Sequence, residues 1–219
     1  MVDEKFEIQV GERTVSAIRT LPVEEAKFTL VYAPGAGSNI SDPFGRYLSS
    51  RLTERGGSTV RFQFPYMEAS KRRPDRPLLL QETWRAVISG IQPGINKLVV
   101  GGRSMGGRIA SEVVAHGTQV DALVLFAYPL NPPYNRTISR DGHLADIEVP
   151  TLFCSGTRDN FASPADLKAA ASKLPNATVH ELEGADHGFT VLNTSGRTRE
   201  DVWNEAADVM LEWLEGLAM

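Results

Sequence analysis

The stretch Lys97-Leu-Val-Val-Gly-Gly-Arg-Ser-Met-Gly-Gly-Arg-Ile-Ala-Ser111 decides the fold of this chain. Leu98, Val99 and Val100 form an apolar, largely β-branched run that reads as a short buried strand. From Arg108 to His116, Ile109, Val113 and Val114 recur at helical spacing until Gly117 stops the helix. Between the two lies Gly102-Arg-Ser-Met-Gly106, a G-x-S-x-G in a strand-to-helix setting. To lift a serine hydroxyl above a sheet edge, the chain must turn sharply and hold Ser104 in a strained backbone conformation. Side chains two residues to either side would strike the neighbouring strand and helix, so positions 102 and 106 require glycine. The amide of Met105 then lies at a helix N-terminus, aimed where an oxyanion would form.

Working outward, the elements alternate. Phe6–Val10 and Thr14–Ile18 alternate apolar and polar residues about Gly11-Glu12, which predicts an antiparallel hairpin at a sheet edge. Buried strands are expected at Phe28–Ala33, Thr59–Phe64, Ala122–Ala127, Val149–Ser155 and Ala177–Leu182. Amphipathic helices are expected over Asp42–Arg55, Arg76–Ile91, Pro164–Leu174 and Glu200–Leu217. Strands alternating with helices after a hairpin predict a mostly parallel sheet with helices on both faces. No repeat or linker divides the sequence, so residues 1–219 are expected to form a single domain.

Composition narrows the function. The 42% hydrophobic and 23% charged content is that of an ordinary globular protein. Net charge is −4, and the one basic cluster, Lys71-Arg-Arg-Pro-Asp-Arg76, is interrupted by Pro74 and Asp75. It reads as a solvated loop, and no nucleic-acid partner is expected. A lone Cys154 in an apolar run reads as a buried thiol. No apolar run approaches membrane-spanning length and the N-terminus lacks a signal-peptide pattern, so a cytoplasmic protein with no membrane partner is expected. Neither a nucleotide fingerprint nor a metal-ligand spacing is present, so no cofactor and no metal are expected.

An elbow serine needs a base and an orienting carboxylate from later in the chain. His187, in Gly184-Ala-Asp-His-Gly-Phe189, follows the last strand, and Asp159, in Ser155-Gly-Thr-Arg-Asp159, follows the strand before it. Both fall at the C-terminal sheet edge, where loops of a parallel sheet converge. The order Ser104, Asp159, His187 is the hydrolase order of nucleophile, acid and base. His143 is the rival base, while His116 reads as a helix C-cap and His180 as an edge-strand position. Asp186 and Asp146 are the rival acids. A second oxyanion donor is expected from Pro34-Gly-Ala-Gly37, by the amide of Ala36 with Gly35 next. Arg108 reads as a helix-face charge paired with a carboxylate. Arg103, beside the serine, reads as a structural ion pair, with an acidic substrate group as the alternative.

These motifs resemble the α/β-hydrolase superfamily along nearly the whole chain. Ala33-Pro-Gly-Ala-Gly-Ser-Asn39, Arg61-Phe-Gln-Phe-Pro-Tyr66, Gly101–Arg108, Tyr128-Pro-Leu130, Gly156-Thr-Arg-Asp159 and Gly184-Ala-Asp-His187 together resemble a small, lidless, dienelactone-hydrolase-like branch. They are also similar to the hydrolase-like domain of testis-expressed proteins and of a non-specific-lethal chromatin complex subunit. The resemblance implies an α/β-hydrolase fold with Ser104, Asp159 and His187 as triad and the Met105 and Ala36 amides as oxyanion hole. Dienelactone hydrolases themselves use cysteine where this chain has Ser104. Lidded relatives carry a large helical insertion where only residues 128–148 lie here. An open site is therefore expected, bordered by Tyr66, Leu130, Asn160, Phe161 and Phe189, that accepts short acyl groups, with Gly35 also expected to contact substrate. The expected function is a serine hydrolase that cleaves small carboxylic esters through an acyl-enzyme. The alternatives are a catalytically idle interaction module, or a thioesterase or peptidase. No segment argues for or against an oligomer.

Overall fold

The computed structural model describes residues 2–91, 97–135 and 137–217. In chain order the strands are β1 (Val2–Val10), β2 (Arg13–Leu21), β3 (Phe28–Ala33), β4 (Gly57–Phe62), β5 (Leu98–Arg103), β6 (Ala122–Phe126), β7 (Thr151–Gly156) and β8 (Ala177–Leu182). The helices are α1 (Pro43–Glu54), α2 (Pro65–Glu68), α3 (Pro77–Ile91), α4 (Met105–Ala115), α5 (Pro164–Ala171) and α6 (Arg199–Gly216). The strands form one eight-stranded sheet in the order β1-β2-β4-β3-β5-β6-β7-β8. The hairpin β1–β2 joins antiparallel to β4, and every later pairing is parallel.

Inner strands buried on both faces need apolar residues in unbroken runs, as in Ala122-Leu-Val-Leu-Phe126. Successive residues then serve opposite layers. Val31, Val100 and Leu125 pack with Trp84, Val87, Ile109 and Val113 of α3 and α4, and with Leu167 of α5. Leu30, Val99 and Val124 pack with Phe44 and Leu48 of α1 and with Val202, Ala206 and Met210 of α6. Each large apolar side chain fully buried in these layers contributes about 1.5–3 kcal/mol.

Helix starts follow local chemistry. Asp42 caps α1 by accepting from the Gly45 amide at 2.9 Å, Ser163 caps α5, and Thr198 with Asp201 forms a capping box on α6. Element ends differ from expectation in several places, as where α5 stops at Ala171 rather than Leu174. The helix after the elbow begins at Met105, whose amide is expected at a helix N-terminus, because Ser104 passes directly from strand to helix. The strand expected to run to Phe64 ends at Phe62. Pro65 opens the short α2, where its fixed φ suits a first helical position. Between β6 and β7 the described residues carry only a 3-10 turn, Leu144–Asp146, and no lid domain. Among the described residues no helix is long and apolar enough to cross a membrane.

Candidate active site

Ser104 has φ 52° and ψ −119°, a left-handed conformation that a serine holds only when its surroundings impose it. Three hydrogen bonds do so. Its amide donates to Phe126 O at 2.8 Å, its carbonyl accepts from the Arg108 amide at 3.0 Å, and Trp84 Nε1 donates to Gly106 O at 3.2 Å. The two flanking glycines meet one obstacle. A Cβ at Gly102 or at Gly106 would stand 2.2 Å from the carbonyl oxygen of Ala33 at the end of β3. That close approach brings the loop after β3 against the serine, where a Cβ on Gly35 would lie 3.5 Å from Ser104 Cβ.

The loops after β7 and β8 complete the arrangement. His187 Nδ1 lies 2.8 Å from Asp159 Oδ2, and His187 Nε2 lies 2.9 Å from Ser104 Oγ. The Asp159 side chain is fully buried and that of His187 is 23% exposed. Asp159 Oδ1 also accepts from the Phe161 amide at 2.7 Å, so both carboxylate oxygens are engaged. An ionised carboxylate only accepts, so the imidazole proton sits on Nδ1 and leaves Nε2 free to accept from the hydroxyl. Such a chain can withdraw a proton from Ser104 and stabilise the imidazolium that results.

The rivals are placed elsewhere. Asp186 Oδ1 accepts from the amides of Gly188 and Thr190 and braces its own loop. His143 Nε2 lies 2.8 Å from Oγ of the buried Ser111, behind α4. His116 caps α4, and His180 on β8 pairs with Glu205 of α6 at 2.7 Å. Arg108 pairs with Glu112 one turn on. Cys154 is buried, and desolvation raises its thiol pKa well above the usual value.

The expected open rim changes. Tyr66 and Phe189 are 2% and 0% exposed, so neither forms a solvent-facing border. Tyr66 lies under the loop after β3, and Phe189 packs against Phe44 at 5.1 Å between ring centroids. Their apolar bulk, which suggested a rim, belongs to packing. Leu130, 4% exposed, lines a cavity of about 550 Å³ with Asn160, Asp141 and Lys173 that includes neither Ser104 nor His187. Phe161 stays beside the site, its ring 4.3 Å from that of His187. The cleft at the serine is smaller, about 330 Å³, and is walled by Gly35, Ala36, Gly37 and Ser38, by Asp42 and Arg103, and by Ser104 and His187.

Two residues beside the elbow lie outside the motifs. Asp42, 3% exposed, accepts from Tyr32 Oη at 2.7 Å and Ser38 Oγ at 3.1 Å as well as capping α1. An Asp followed by Pro at a helix start was its sequence signal. Trp84 had no signal beyond the apolar face of its helix. Among the described residues no group of three or more His, Cys, Asp or Glu converges as a metal site would.

A serine at a strand–helix elbow, hydrogen-bonded through histidine to aspartate at the C-terminal edge of a parallel sheet, defines a hydrolase-type architecture. A family model for the alpha/beta hydrolase domain matches residues 26–215, and the chain belongs to that family, a hydrolase by class. Solved structures share the fold. An alpha-beta serine hydrolase homologue from Coxiella burnetii is 22% identical, with 98% of each chain covered and a TM-score of 0.77. A dienelactone hydrolase from Anabaena variabilis is 19% identical, covering 96% of this chain and 97% of its own, at a TM-score of 0.75. A Xanthomonas campestris a/b serine hydrolase without lid is 17% identical, covering 96% and 94%, at a TM-score of 0.74. The fold is that of the small, lidless, dienelactone-hydrolase-like branch.

Proposed function

We propose that the chain is a serine hydrolase that cleaves small carboxylic esters through an acyl-enzyme. The observation that carries this reading is the continuous chain Ser104 Oγ, His187, Asp159, with steps of 2.9 and 2.8 Å. Ser104 attacks the ester carbonyl while His187 takes its proton. His187 then returns the proton to the leaving alcohol, and water repeats the sequence on the acyl-enzyme. Asp159 fixes the imidazole tautomer and stabilises its charge. The Met105 amide, first in α4 and without an intrahelical acceptor, and the Ala36 amide of the loop beside Ser104 are assigned to the oxyanion. A cleft of about 330 Å³ is at the small end for ligand sites and favours short acyl groups. Both faces of a single sheet are covered, which supports reading residues 1–219 as one domain.

An idle interaction module is the rival reading, and the strained Ser104 with its histidine partner disfavours it, because binding alone requires neither. Fluorophosphonate labelling, with hydrolysis of p-nitrophenyl esters from acetate to octanoate, separates the two. Wild type is expected to label and to prefer the shorter esters. Ser104→Ala should not label, and hydrolysis should fall by about 10³-fold or more. Wild type that neither labels nor hydrolyses any ester above the Ser104→Ala background would end the enzyme reading.

A further inference from the structure

Arg103 is the last residue of β5 and the immediate neighbour of Ser104. Its side chain is only 20% exposed and meets three partners. Nη2 donates to the main-chain carbonyl of His187 at 3.0 Å. The guanidinium carbon stands 5.5 Å from the ring centroid of Phe189. Nη1 lies 3.9 Å from Oδ1 of Asp42, the carboxylate that also accepts from Ser38 Oγ in the loop beside the serine. One planar group thus reaches from the elbow to the histidine loop and to the anchor of the loop after β3.

Arg103 adds a tie from the elbow to the histidine loop. His187 and its neighbours carry no helix or strand; Asp186 closes the turn around them, its carboxylate accepting from the amides of Gly188 and Thr190, its amide donating to Thr190 O and its carbonyl accepting from the Phe189 amide. Asp159 holds the ring at Nδ1. Among the described residues, Arg103 is the donor to the His187 carbonyl, so it fixes the main chain from which the ring projects. We propose that Arg103 is a positioning residue that clamps the His187 backbone against the elbow and keeps Nε2 in register with Ser104 Oγ. The proposal rests on the serine-hydrolase reading above. Displacing a catalytic group by about 1 Å can lower a rate by about 10²-fold, so a clamp one residue from the nucleophile has kinetic weight. Only arginine has the rigid fork that serves His187, Phe189 and Asp42 together, since lysine is a point charge on a flexible stem. A role in binding an acidic substrate group is disfavoured, because Asp42 shares the cleft wall and would repel it.

The test compares Arg103→Lys and Arg103→Met with wild type on neutral p-nitrophenyl acetate and on anionic mono-p-nitrophenyl succinate. Rates are normalised to sites titrated to completion with a fluorophosphonate, so that unfolded protein is not counted. Both variants are expected to lose about 10- to 100-fold in kcat on both esters alike. KM should stay within about threefold, the pattern of a lost transition-state alignment rather than of lost binding. Should the Met variant not fold, the Lys variant carries the test, because it keeps a charge beside Asp42. A rise in KM confined to the anionic ester would overturn the proposal and make Arg103 a substrate contact. Lys-variant kcat within about twofold of wild type would overturn it as well. Inactive wild type would remove this proposal together with the hydrolase reading, whereas active wild type with unaltered variants removes this proposal alone.

Discussion

Tyr66 Oη donates a 2.8 Å hydrogen bond to the carbonyl oxygen of Ala36. This places a buried phenol under the loop whose amide is assigned to the oxyanion. Burial, reinforced by Asp75, raises the Tyr66 pKa well above the usual value, so the hydroxyl remains a donor throughout the neutral range. Tyr66→Phe removes that donor and leaves the ring packing in place. Stability should fall by only about 1 kcal/mol. The loosened loop should lower kcat on p-nitrophenyl acetate by about tenfold, less than the 10²–10³-fold or so that follows loss of an oxyanion donor itself. Unchanged kcat would show that the tyrosine does not govern the loop.

Asp159 and Asp186 offer a paired test of the acid. Asp159→Asn keeps the shape and can retain the Phe161 contact, but its amide cannot hold the imidazole in the same tautomer with the same charge. By analogy with triads elsewhere, kcat should drop by about 10⁴-fold. Asp186→Asn retains an Oδ1 that accepts from Gly188 and Thr190, and activity should remain near wild type. Comparing the two variants on one ester reads the assignment directly, and equal losses would contradict it.

The parts of this molecule written in short local patterns were legible beforehand. The elbow, the order Ser104, Asp159, His187 and the placing of Asp159 rather than Asp186 against His187 Nδ1 follow from a motif, from succession along the sequence and from which loops share a sheet edge. What was not legible depends on contacts distant in sequence. Arg103 bonds to residue 187 and Tyr66 to residue 36, and neither pairing leaves a periodicity to read. Phe189 shows the converse. Two residues from His187 it looked like a rim residue, yet Phe44 and Phe126 form an aromatic cluster that draws it inward. Aromatic bulk is the same in a rim and in a core, and only packing separates them.

The elbow glycines predict a steep contrast in stability. A Cβ at Gly106 would lie 2.2 Å from Ala33 O and 2.7 Å from Pro34 O, both backbone atoms that cannot rotate away. Gly106→Ala should cost more than about 3 kcal/mol. At Gly117, φ is 89° and nothing lies within 4 Å of the place an alanine methyl would take. Alanine there meets only backbone strain of about 1–2 kcal/mol. Urea unfolding of the two variants measures the difference. Equal losses would mean that the β3–elbow approach relaxes at little expense.

His143 predicts how stability depends on pH. Burial lowers its pKa below the ordinary value of 6.5, outweighing Glu112, which raises it, while Arg108 and His116 add to the lowering and Asp141 opposes it. The fold therefore favours neutral imidazole at the bond to Ser111. As pH falls past about 6.5, the unfolded chain takes up this proton before the folded one does. Between that value and the lower folded pKa the unfolded state holds more protons, so this contribution to stability declines with falling pH and levels off below the folded pKa. His143→Gln removes the titration. The stability difference between wild type and variant, measured by urea unfolding from pH 7.5 to pH 5, should shrink as the solution is acidified. A difference that stays constant over that range would show that His143 titrates alike in both states.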